Sequence, residues 1–238
     1  MGIDVNNRIV TYSDIHEKIV ITSVNKNPKI SRIGKQNKLF VYSIFTRVRS
    51  NEIRGDGNPL IYALKGLKGY SISKREVVKF RPNFDEIITK VINKFNKKHD
   101  IILVLPSSSK VPAMFARRVG RALSCDVSYD SFKKNTIYEV LDLFNNNNVK
   151  SGHEDEVRGV LYNLNNSNGN LIFSMKDIPN NIRCYFNPFS LKNESLKNKN
   201  ILLIDDILST GTSLITANNL IVSQNNQTDA LCLLSDLN

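Results

Sequence analysis

The sequence predicts an α/β fold, a mainly parallel sheet flanked by helices, with a β-rich N-terminal region. Two continuous apolar runs, Ile101–Leu105 and Ile201–Ile204, have the character of strands covered on both faces. Each leads into a polar loop and then into a helical pattern. A third apolar run, Ala230–Leu234, completes the second strand–loop–helix–strand unit.

The elements follow in chain order. Residues 1–75 read as a β-rich basic hood, with Lys38–Arg49 its best strand because β-branched and aromatic residues crowd it. Residues 76–238 read as the α/β core. Asn83–Lys97 is the clearest helix. Phe84, Ile87, Ile88, Val91, Ile92 and Phe95 form one stripe, and Asn83 with Glu86 has the spacing of a capping box. A helix over Pro112–Leu123 starts with proline in its first turn and places Arg117, Arg118 and Arg121 opposite its apolar side. The asparagine-rich stretch of about 130–185 reads as a flexible segment. A final helix spans Ser213–Ser223.

Composition narrows the function classes. The 238 residues carry a net charge of +11, unevenly spread. Residues 1–124 hold 24 Lys+Arg against 9 Asp+Glu, and residues 125–238 hold 9 against 13. That asymmetry predicts a nucleic-acid or other polyanion-binding face on residues 1–124, including Arg117, Arg118 and the run Lys26, Lys29, Arg32, Lys35 and Lys38. Cys125, Cys184 and Cys232 lack metal-ligand spacing, and Cys232 reads as a buried thiol. His16, His99 and His153 are isolated and read as surface residues, so a zinc site or a Ser–His–Asp triad has little support. No apolar run is long enough to span a bilayer, and Met1–Asn7 lacks the plan of a secretory signal. A cytoplasmic protein without a membrane role is expected. A homodimer is one assembly state the sequence leaves open.

Chemistry concentrates in Ile201–Ser213. An apolar strand runs into Asp205 and Asp206, and a loop of Ser209, Thr210, Thr212 and Ser213 surrounds Gly211 just before a helix. A glycine lets backbone approach an anion, helix-start amides favour phosphate, and hydroxyls add donors. Carboxylates would repel a phosphate, so both acids should face ribose hydroxyls, with Mg²⁺ nearby and held directly or through water, and neither should sit in a buried ion pair.

This stretch resembles the signature of type I phosphoribosyltransferases, with Ser209 and Ser213 replacing threonine. The resemblance implies that Ser209–Ser213 hold the 5-phosphate of phosphoribosyl pyrophosphate (PRPP) and that Asp205 and Asp206 bind its ribose and Mg²⁺. It implies a pyrophosphate loop at Ser107, Ser108, Ser109 and Lys110, and a lid after Phe132 with Lys133, Lys134 and Arg158 as its contacts. Asp205, Asp206 and Lys110 are then the catalytic candidates. Feature order, with Asn58–Lys65 early and Asn187–Phe189 before the loop, is most similar to the ComF-like branch, but the first 75 residues contain no cysteine for that branch's zinc module. Purine-salvage members carry a carboxylate where Ser209 stands, which makes a hypoxanthine or guanine acceptor less expected. Two functions follow. One is phosphoribosyl transfer from PRPP with pyrophosphate leaving. The other is a non-catalytic PRPP- or nucleotide-binding regulatory or effector module, for example in a bacterial defence operon, that contacts nucleic acid or a protein.

Overall fold

The structure, a computed structural model, describes residues 1–48, 58–145, 149–192 and 196–236. The chain opens with an antiparallel pair, β1 (Gly2–Asn6) and β2 (Ile9–Ser13). Strands β3 (Val20–Ile21) and β4 (Lys29–Ile33) then lie antiparallel on β5 (Leu39–Arg47). Helix α1 (Pro59–Lys65) starts at Asn58, whose side chain accepts from Leu60 N, and stops at Gly66 with φ +65°. Strand β6 (Ser71–Ile72) returns to β2 and completes a three-stranded sheet.

Helices α2 (Lys74–Lys79) and α3 (Arg81–Ile92) are joined through Phe80. Ser73, not Asn83, caps the start of this run by accepting from Glu76 N at 3.2 Å. Asn83 sits inside the first turn of α3 and donates to Thr22 O at 3.1 Å. A buried side-chain amide with a distant carbonyl partner looks like a cap in sequence, which is why the expected helix start was misplaced.

The core continues with β7 (Ile101–Val104), α4 (Val111–Leu123) and β8 (Val127–Ser128). Strand β9 (Phe132–Lys134), α5 (Ile137–Asp142), α6 (Glu154–Asn165) and β10 (Phe189–Leu191) come next. The chain closes with β11 (Asn200–Leu208), α7 (Thr212–Val222) and β12 (Gln227–Ser235). Among the described residues the central sheet has the order β3-β5-β12-β11-β7-β8, with β4 also on β5. The five strands from β5 to β8 in that order are mutually parallel.

Strand alternation sorts the core into two layers. Ile102, Val104, Leu202 and Ile204 join α3 and α4 on one face. Leu103, Ile201, Leu203 and buried Cys232 join α7 on the other. Each such buried aliphatic side chain contributes about 1.5–3 kcal/mol.

Two expectations change. Strand β5 pairs with β12 inside the central sheet, so residue 75 does not divide a hood from a core. Its apolar run is a buried parallel strand, which composition alone does not tell from a hood strand. The described residues of the stretch 130–185, read from their asparagines as a flexible segment, include two helices, α5 and α6. Its Ile137, Val140, Val157, Phe173, Ile178, Ile182 and Phe186 form a third apolar cluster. The asparagines masked a helical stripe, Val157, Val160, Leu161 and Leu164, at three- and four-residue spacing.

Candidate functional site

The sheet reverses direction of winding between β7 and β11. From β7 the chain crosses over α4 to β8 on one side, and from β11 it crosses over α7 to β12 on the other. Helices α4 and α7 therefore cover opposite faces, and a crevice opens at the carboxyl ends of the two neighbouring strands. Leu105 N donates to Ile204 O at 3.0 Å, so the loop after β7 leaves the sheet beside Asp205, while β11 runs on against β12 to Leu208 before its own loop begins.

One of these loops lines a cleft of about 500 Å³. Asp205, Ile207 and Ser209–Leu214 line it together with Met175 and Arg183. Gly211 has φ +74° and stands directly before α7. A Cβ there would lie 2.9 Å from Ile33 Cδ1 and 3.5 Å from Leu208 Cδ1. The glycine is thus required by backbone conformation first and by space second. Gly211, the residue before α7, has no side chain to cap it; the Thr210 and Thr212 hydroxyls bond each other at 3.0 Å, and Thr210 Oγ1 also accepts, at 3.5 Å, from Thr212 N. The wall of the cleft is a helix start rich in donors, suited to an anion.

The two acids part company. Side chains alternate along β11, so Asp206 points to the α1 side and Asp205 to the cleft. Asp206 is buried, with Lys65 Nζ 2.6 Å from its Oδ2, an ion pair rather than an aligned hydrogen bond. The expectation that neither acid forms a buried ion pair is therefore corrected for Asp206. Asp205 is partly exposed and accepts from Asp206 N at 2.8 Å. Burial, and next the adjacent Asp206 carboxylate, push Asp205 up to about 7.

A stability prediction follows from that shift. A carboxyl whose folded pKa is raised contributes stability that is full below its unfolded value of 3.8 and is lost as pH rises through about 7. Asp205→Asn keeps the acceptor for Asp206 N and cannot ionise. Discounting for partial exposure, we expect the variant to be more stable by about 2 kcal/mol at pH 8, a Tm rise of roughly 4–8 °C. The gain should shrink between pH 8 and pH 5. Equal Tm differences at both pH values would contradict the charge argument.

The other expected residues are placed as follows. Ser107, Ser108 and Lys110 are exposed on the loop after β7, where Ser107 Oγ accepts from Ser109 N and Ser109 Oγ from Val111 N. They stand on the same edge as the cleft but do not line it. Lys133 pairs with Glu139, and Arg158 lies 3.6 Å from Asp155 on the surface, so neither reaches the cleft. Lys134 lies on β9, paired with Phe189, and also does not line it. Arg183 does line the cleft, and the sequence reading missed it. Its Nε donates to Ile178 O at 2.8 Å, and the turn Arg183–Tyr185 packs on α7. No local motif marks it, because the folded insertion delivers it from a distance.

His99 is buried, not exposed, with Nε2 3.1 Å from Asp229 Oδ2 near the amino ends of the strands, far along the sheet from the cleft. Among the described residues no cluster of three or more His, Cys, Asp or Glu could hold a metal, and no helix is long and apolar enough to cross a membrane. Comparison with known protein families and with curated proteins finds no match for this chain.

Proposed function

We propose that the cleft binds a 5-phosphorylated ribose, and that the chain is a type I phosphoribosyltransferase-like protein that uses PRPP. The observation that supports this best is Gly211 at φ +74°, which turns a hydroxyl-rich loop into the start of α7 beside the winding reversal of the sheet. Hydroxyls and amides of Ser209–Ser213 donate to the 5-phosphate. The Arg183 guanidinium, which lines the same cleft, adds charge. Asp205 accepts from a ribose hydroxyl.

A single carboxylate on the cleft fits Mg²⁺, which commonly rests on one or two carboxylates, substrate phosphates and water. Asp205 would hold it, directly or through water, and Asp206 would not while paired to Lys65. Bound there, the ion would offset pyrophosphate charge. In the transfer, the bond from ribose carbon 1 to pyrophosphate oxygen breaks, a bond from carbon 1 to the acceptor forms, and pyrophosphate leaves with the electron pair. The protein's part is positioning and charge stabilisation, with Ser107–Lys110 on the loop after β7 as the proposed partners of pyrophosphate.

Incubation with PRPP, magnesium and a panel of nucleobases tests this by pyrophosphate release. Arg183→Gln should weaken PRPP binding about 10-fold, the loss of one charge-assisted bond of about 1.5 kcal/mol, and should lower Tm by only about 2–4 °C through loss of the Nε bond to Ile178 O. Unchanged affinity would remove Arg183 from the site. Two observations favour a second reading. Asp206 is tied to Lys65, and Lys110 stands outside the cleft lining, as suits a module that binds PRPP or a nucleotide without turning it over. Saturable PRPP binding with no pyrophosphate release across the panel would select that reading.

A further inference from the structure

A second binding surface lies on the opposite side of the sheet from α7. Helices α3 and α4 pack side by side, with Phe84 on Phe115 at 5.9 Å and Asp85 on Arg118 at 2.5 and 2.6 Å. Between them run two adjoining hollows of about 610 and 770 Å³ that share Ala122. Their floor is apolar, with Phe84, Ile88, Ile92 and Phe95 recurring along α3 and the turn after it. Phe84 and Phe95 remain partly exposed, and Phe95 is fixed edge-on against His99 and Tyr42.

The charge around this groove is mainly positive. Residues 74–121 hold 12 Lys+Arg against 4 Asp+Glu. Three of those acids are already engaged. Glu76 bonds Tyr12 N and Lys79, Asp85 bonds Arg118 and meets Arg81, and Asp100 accepts from Asn200 N. Lys94, Lys97, Lys98, Arg117 and Arg121 are exposed and form no salt bridge among the described residues. Arg121, Lys97 and Lys98 line the hollows themselves. The cluster expected from sequence thus loses Arg118 to Asp85. Of the N-terminal basic run, Lys26 is paired with Glu17 and Arg32 stacks over Phe40 on the far edge of the sheet.

We infer that the α3–α4 groove binds single-stranded nucleic acid, independently of the sugar-phosphate cleft. Phosphates match the cationic rim, and bases match the apolar floor with an aromatic ring toward each end. A duplex would offer phosphates to the rim but no base faces to the floor. From Phe84 to Phe95 the groove is roughly 16 Å long at 1.5 Å per residue, which reaches about five nucleotides at 3.4 Å each.

Fluorescence anisotropy with a labelled 12-nucleotide single strand and its duplex, at 50 and 200 mM salt, tests this on the full chain. The single strand should bind more tightly than the duplex and weaken steeply with salt. Replacing Lys97, Lys98, Arg117 and Arg121 with Gln should reduce affinity at least 10-fold and flatten the salt slope by about 3, at roughly 0.7 per cation removed. These exposed changes should leave Tm and PRPP binding intact. Lys35→Gln with Lys38→Gln should leave strand binding unchanged, and saturating PRPP should not compete. The inference is overturned by no binding at 50 mM salt, by equal affinity for the duplex, or by wild-type affinity in the folded fourfold variant. Equal competition by polyglutamate of matched length would also overturn it, by assigning the groove to an acidic peptide.

Discussion

Gly211→Val is expected to lower affinity for PRPP by about 100-fold or more while the protein stays folded. Gly211 holds φ +74°, a region that costs a β-branched residue on the order of 1–3 kcal/mol. The added Cβ would also meet Ile33 Cδ1 at 2.9 Å. That contact is with the far end of a flexible side chain, so Ile33 can move aside and most of the cost falls on the loop backbone. If the loop relaxes to negative φ, the start of α7 turns away and several donors lose the phosphate together. Losing two charge-assisted bonds amounts to about 3 kcal/mol, which is a 100-fold change in Kd. Gly211→Ala should fall between the two, since alanine tolerates positive φ better than valine. A folded Gly211→Val protein that binds PRPP normally would show that Ser209–Ser213 is not the phosphate cradle.

Lys65→Met should produce the largest loss of stability of any single change near the site. Lys65 and Asp206 are both largely buried, at 18% and 4% side-chain exposure, and the ammonium is the carboxylate's charge partner. Removing one partner of a buried pair leaves an uncompensated charge, at a cost on the order of 3 kcal/mol. For a chain of this size that is a fall in Tm of about 6–12 °C. Asp206→Asn added to Lys65→Met removes the stranded charge and should recover most of the loss. Failure of the second change to restore Tm would mean that the lysine stem, not the charge, supports α1.

The fold was legible wherever period and burial agree. The runs at Ile101 and Ile201 announced parallel strands because both their faces are covered, and α4 was readable to within one residue because proline opens it and Ser124, at φ +49°, closes it. Asn83 and the insertion were not legible for opposite reasons. Asn83 has the chemistry of a cap but bonds to Thr22, which is remote in sequence. The insertion has loop composition but enough apolar residues at helical spacing to build its own cluster. The loop Ser209–Ser213 was legible because its chemistry is local. The split between Asp205 and Asp206 could have been read from strand alternation, had β11 been carried through Leu208 instead of ended at Ile204. Arg183 and Lys65 could not be read this way, since each reaches its partner only through tertiary packing.

The central claim is that the cleft takes a phosphorylated ribose through the Ser209–Ser213 loop with Asp205 as its ribose acceptor. Calorimetric titration of PRPP with magnesium at pH 8, into the wild type and Asp205→Asn, tests it most directly. The account predicts saturable one-to-one binding to the wild type and at least a roughly 10-fold loss in the variant, the worth of one hydrogen bond to a charged group, despite the variant's higher Tm. No heat of binding in the wild type, or equal affinity in the two proteins, would contradict it.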